Sequence, residues 1–269
     1  IDISDISISI AEDRLRCSGA NQKAKVEFSN FDINSLNNKN KFHYINSIGA
    51  IQHTKDPLKA LLTLKLALIP GALMHLSTYA EAGRFDIQRI QNALHYLKVT
   101  PDQSGLHLCR DLLANLPKNN SLRRNLERSL PLNSIPDIDL ADMFLNPIER
   151  TFSIDNLFEL IKGAGLEFVC FLNPNLWDLR RFFKGELLQR ANLLTPEEKW
   201  KLIESLDPDI SCFELFVSNG TCELNAWEDE SKLLAAKPRI NEYILEFTNE
   251  KIDCNLDRLH IHLSQSEVI

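Results

Sequence analysis

The sequence predicts an α/β protein in which a largely parallel sheet is covered by helices. Three observations carry that expectation. Short apolar runs of strand length alternate with stripes of helical period through the first 80 residues. Helix starts carry their own caps, Asp56-Pro57 and Thr195-Pro-Glu-Glu198 being the clearest. Strand–helix alternation of this kind favours parallel pairing, because each crossover returns the chain to the same sheet edge.

The elements follow in order. IDISDISISI alternates apolar and polar residues, but the alternation slips between Ile3 and Ile6, and Ser4 and Asp5 are good helix caps. A short strand at 1–4 and a helix from about 5 to 18, ended near Gly19, is the expected reading. A strand at 25–28 leads into a loop carrying Asp32, and a polar connection spans 34–41. Residues 42–48 read as a buried strand stopping at Gly49. After Asp56-Pro57 a helix places Leu58, Leu61, Leu62 and Leu66 on one face. Pro70-Gly71 ends the connection to a strand at 72–77.

From 81 to 145 the pattern is helical. Ile87, Ile90, Leu94 and Leu97 share one face, and Leu106, Cys109, Leu113 and Leu116 share another. Pro131 and Pro136 mark a loop. Ile154, Leu157, Phe158 and Ile161 then form a helix closed by Gly163 and Gly165, before a strand at 166–172. The capping box at Thr195 opens a further helix, and 211–217 is another strand. The segment 228–236 is helix-like and 259–263 strand-like, with no evident role.

Composition narrows the function classes. With 269 residues, 44% apolar and 25% charged, the chain is neither disordered, collagen-like nor a coiled-coil rod, and suits two domains or one large α/β domain. The longest apolar stretch, 66–74, is broken by Pro70 and Gly71 and is too short to span a bilayer, so no membrane is expected. A net charge of −7 with no basic patch argues against nucleic acid as a partner. The six scattered cysteines show no C-x-x-C pair, which favours free thiols and a cytoplasmic location. His260 and His262 lack convergent ligands, so no metal is expected.

Several segments then match a known series. IDIS before a helix, VEFSNFDI, FHYINSIGAIQHTKDP and LALIPGALMHLSTY, in this order and spacing, resemble a class I S-adenosylmethionine-dependent methyltransferase of bacterial type. That family shows an acidic residue after its second and third strands, a G-V-L-H-H-x-x-D-P segment after the fourth and a K-P-G-G turn before the fifth. Here Gly49-Ala-Ile-Gln-His53-Thr-Lys-Asp56-Pro57 and Ile69-Pro-Gly-Ala72 stand in those places. The likeness continues more loosely through DMFLNPIERTFSIDNLFELIKGAGLEFVCF and TPEEKWKLIESLDPDISCFELFVS. Three departures stand out: the glycine-rich first motif is absent, Gln52 replaces the first His, and Ala72 replaces a Gly.

The resemblance implies a Rossmann-like methyltransferase sheet, mostly parallel with the last strand antiparallel, lacking its first strand and carrying a helical insertion. It also implies that the chain is the C-terminal portion of a longer enzyme that binds its cofactor poorly alone, because a missing central strand leaves backbone groups unpaired at about 1–3 kcal/mol each. The cofactor would be S-adenosyl-L-methionine. Expected divisions are a cofactor-binding part at 1–80, a helical lid at 81–150, completion of the sheet at 151–220 and an appendage at 221–269.

Candidate site residues each have a plainer alternative. Asp2 would accept ribose hydroxyls at the strand end, with Ile3 as an apolar wall against the adenosine; otherwise Asp2 caps the helix. Asp32 would accept the adenine amino group, with Ile33 offering its N–H and an apolar contact; otherwise Asp32 is an Asx-turn residue. Ser47 and Gly49, at the carboxyl end of their strand, would adjoin the methionine part of the cofactor, or simply end the strand. His53 would take a proton from the methyl acceptor, or only fix its loop. Tyr79 would face the same crevice or fill the core. Glu81 and Arg84 would meet the substrate or lie on a solvated helix start. The acceptor, small molecule or protein, is unidentified. The competing reading is a non-catalytic methyltransferase-fold protein that binds a partner.

Overall fold

The computed structural model describes residues 1–18, 25–132 and 134–221. Helix α1 (Asp5–Ser18) is opened by Ser4, whose hydroxyl accepts from the Ser7 N–H at 3.2 Å. Strand β1 (Phe42–Ile48) is followed by α2 (Pro57–Ala67), capped by the Asp56 carboxylate accepting from the Lys59 N–H at 3.0 Å. Strand β2 (Leu68–Tyr79) leads into α3 (Glu81–Tyr96), α4 (Gln103–Asn115), α5 (Ser121–Ser129) and α6 (Asp137–Phe144). Then come α7 (Ile154–Gly163), β3 (Glu167–Phe171), α8 (Gly185–Asn192), α9 (Pro196–Leu206) and β4 (Cys212–Ser218). The capping box at α9 forms as the sequence predicts, with Thr195 and Glu198 each satisfying the other's backbone N–H.

The four strands are ordered β1-β2-β4-β3. β1 and β2 run parallel, while β4 lies antiparallel to both β2 and β3. The last strand in sequence is therefore wedged between two others, and the remaining three run one way, as expected. The predicted strands at 1–4 and 25–28 are corrected: only one parallel bridge forms, Asp2 to Asn30. Among the described residues no ladder lies beside these segments, and Ile3 is 73% exposed, so they lack the neighbours that sustain an extended strand. β2 begins earlier than predicted. Phe42 pairs with Leu68 and Tyr44 with Leu73, so three extra residues bulge from β2 around Pro70-Gly71. Gly71, at φ +77°, permits that kink, and its N–H donates to the Asn219 carbonyl.

Side chains alternate across the sheet. Met74 and Leu76 of β2, with Phe213, Leu215 and Val217 of β4, pack against Leu61 and Leu64 of α2, Leu157 and Ile161 of α7 and Ile203 of α9. A second cluster, Ile90 and Leu94 of α3 with Cys109, Leu113, Leu126 and Leu140, builds the helical region. Ile90, Leu94, Cys109 and Leu113 are predicted stripe positions, Leu126 and Leu140 lie outside both stripes, and Leu97 is exposed and lies past the end of α3. Beyond β4, the Asn219 side-chain amide donates to the Leu68 carbonyl at 3.0 Å, tying the end of β4 to the end of α2. The helix end near Gly19, the segments 228–236 and 259–263, and His260 and His262 lie outside the described residues. Among the described residues no helix is long and apolar enough to cross a membrane.

Candidate active site

Because β1 and β2 are parallel, both release their chains at one edge: β1 at Gly49 and β2 at Tyr79. Gly49 takes φ +64°, which turns the chain back toward the sheet, and its N–H donates to the Ser77 carbonyl. The short turn Ile51–His53 then fixes His53. His53 Nδ1 lies 2.8 Å from the Ile148 carbonyl, an oxygen that only accepts, so Nδ1 carries the hydrogen and Nε2 of the neutral ring keeps its lone pair. The imidazole stands edge-on to the Tyr79 ring with centroids 5.7 Å apart.

Tyr79 also rests against a cation. The Arg84 guanidinium lies 3.8 Å from the Tyr79 ring centroid. Arg84 in turn donates from Nη2 and Nε to the two Glu149 oxygens, at 2.6 and 3.2 Å. The pair is deeply placed, with side chains 10% and 2% exposed. Burial pushes the Tyr79 phenol above its ordinary 10.0, opposed by the Arg84 charge, so it is protonated at neutral pH. Cys212, paired with Tyr79 across β2 and β4, is likewise held protonated by burial.

Gly83 makes this arrangement possible. A Cβ there would stand 2.5 Å from the Ile210 carbonyl oxygen, so only glycine lets α3 approach β4 closely enough to direct Arg84 beneath Tyr79. Arg84 is thus no solvated helix-start residue. Glu149 was not among the sequence candidates: its partner is 65 positions away, and no local pattern marks it.

The other sequence candidates lie apart in kind. Asp2 and Asp32 are exposed and stand on neighbouring segments that the Asp2–Asn30 bridge runs in parallel. One Asp2 oxygen accepts from the Ser4 N–H at 2.8 Å, and one Asp32 oxygen from the Asn34 N–H at 2.8 Å. Asp32 therefore does hold the Asx turn of its plainer reading, whereas Asp2 does not cap α1, a place that Ser4 takes; the second oxygen of each has no partner among the described residues. Ile33 packs against the main core, whereas Ile3 is open to solvent. Ser47 is buried beside Leu76, and its hydroxyl is unpaired among the described residues, as are both amide atoms of the buried Gln52.

With this geometry in place, comparison defines the fold. PKMT2 from Rickettsia typhi in complex with AdoHcy superposes with a TM-score of 0.63 at 15% identity, over 81% of this chain and 43% of its own. A second structure of PKMT2 from Rickettsia typhi gives 0.61 at 14% identity, over 81% and 42%. The chain has the Rossmann-like class I methyltransferase fold.

In sequence it is similar to the uncharacterized protein syc1184_c of Synechococcus sp., at 32% identity over 258 residues, 94% of this chain and 61% of the relative. It spans less than two thirds of that relative and less than half of PKMT2. No family model matches it.

Proposed function

We propose that this chain is part of an S-adenosylmethionine-dependent methyltransferase in which His53 is the general base. The observation that carries the proposal is the His53–Ile148 hydrogen bond at the carboxyl edge of β1, which leaves Nε2 as an acceptor beside Tyr79. The fold supports it, and so does the bound AdoHcy of the Rickettsia protein.

The residues present suit the cofactor. The free oxygens of Asp2 and Asp32 can accept from ribose hydroxyls and from the adenine amino group, with Ile3 and Ile33 as apolar neighbours. Gly49 and Ser47 stand at the strand end, where the methionine part would be held. When bound, the cofactor supplies a sulfonium-activated methyl group.

The chain's own residues then have separable tasks. His53 Nε2 takes the proton from the hydroxyl, amine or acidic carbon being methylated, and the Ile148 carbonyl stabilises the imidazolium through Nδ1–H. Tyr79, neutral and braced by Arg84, walls the crevice and orients the acceptor. The helical region at 81–150 serves as the lid that selects it.

The test is S-adenosylhomocysteine release by the intact protein against a panel of small-molecule and peptide acceptors. His53→Gln should lower turnover by roughly 10²–10⁴-fold while calorimetric binding of S-adenosylmethionine stays unchanged. Unchanged turnover in that variant removes the base role. Failure of the intact protein to bind the cofactor removes the proposal.

A further inference from the structure

Outside the crevice, a cavity of about 310 Å³ opens between the turns that follow β3 and helices α8 and α9. It shares no residue with the His53–Tyr79 site. We propose that it binds a small carboxylate with an aromatic or branched apolar body.

The floor is aromatic and rigid. The Trp177 indole stacks on Phe171, with centroids 4.0 Å apart and planes 16° from parallel. Trp200 meets the same Phe171 edge-on at 5.2 Å and leans on Phe158 and Phe168. Both indoles are only partly buried. Their positions are set from behind and their free surface faces the cavity, where Leu188 adds an aliphatic wall. The volume lies at the lower end of the ~300–1,000 Å³ typical of small-molecule pockets.

Charge decides the polar end of the ligand. Two indoles could hold a cation, but the one carboxylate on the rim, Asp178, is already engaged. It accepts from the Arg180 side chain at 2.8 Å and from the Arg180 backbone N–H. That pair is neutral and offers a cation no free carboxylate. Lys199, half-buried on the rim, has no ion-pair partner among the described residues. The cavity therefore carries one uncompensated positive charge above an apolar floor, which suits an anionic head and a hydrophobic body.

The probe is 3-phenylpropionate, titrated into the protein and followed by the NMR shifts of the indole N–H groups. Trp227→Phe separates the third tryptophan of the sequence from the two in the cavity. The acid should move the Trp177 and Trp200 signals saturably, 3-phenylpropionamide should bind several-fold more weakly, and 3-phenylpropylamine should not bind. Lys199→Gln should weaken the acid about fivefold and leave the amide unchanged. Leu188→Trp, which fills the cavity, should abolish both, with circular dichroism confirming that the chain still folds. Equal binding of acid and amide overturns the charge assignment. Unmoved indole signals up to the solubility limit of the acid overturn the site.

Discussion

Removing the Glu149 carboxylate isolates the interaction that holds Arg84 against Tyr79. Glu149→Gln keeps the shape but strands the Arg84 guanidinium, whose side chain is 10% exposed. Losing one partner of a buried, doubly hydrogen-bonded ion pair costs about 3–5 kcal/mol, most of it the penalty of the charge left behind. For a unit of this size that corresponds to a drop of roughly 6–20 °C in Tm. The combined variant Arg84→Met with Glu149→Leu leaves no buried charge and should lie within about 1.5 kcal/mol of the parent. Urea denaturation of all three proteins by circular dichroism, with unchanged slope, measures both numbers. If Glu149→Gln costs under about 1 kcal/mol, or if the double variant costs as much as Glu149→Gln, the pair is not a buried unit and the bracing of Tyr79 by Arg84 fails with it.

Other outcomes follow from the same structure. Gly83→Ala should destabilise the chain by about 1–3 kcal/mol, since its Cβ meets backbone at 2.5 Å; calorimetry checks this. Leu157→Ala should cost about 2–5 kcal/mol by the same measurement, because the side chain is fully enclosed between α7 and the sheet. Glu204 accepts from the Ile154 N–H at the start of α7, and burial holds its carboxyl above the ordinary 4.5. The native state therefore keeps this proton longer than the unfolded chain, and its contribution to stability falls as pH rises from 4.5 through the raised value. Glu204→Gln should remove that decline, so the stability difference between variant and parent should change across this interval and flatten above it.

Much of the fold was legible because its signals are local. The strand at 42–48, the Asp56 and Thr195 caps and the α7 stripe depend on residues within a turn or two of one another. Pro70-Gly71 misled, since a pair that ends the connection before a strand can also bulge within one, and only the register against β1 decides. The isolated bridge at Asp2 could not be distinguished from a strand by periodicity, because pairing needs a neighbour that periodicity does not reveal. In the candidate site, Tyr79 and His53 were proposed from motif position. Glu149 and the Ile148 carbonyl were not, because they meet their partners across 65 and 95 positions of sequence.

The clasp formed by Asn219 has a consequence for covalent chemistry. Asn219-Gly220-Thr221 is an acceptor triplet for N-linked sugar, yet the nitrogen that would carry the glycan already serves the Leu68 carbonyl. Attaching a saccharide there would take one of the two hydrogens of a nitrogen already held against the Leu68 carbonyl, so glycosylation at this triplet would compete with the clasp.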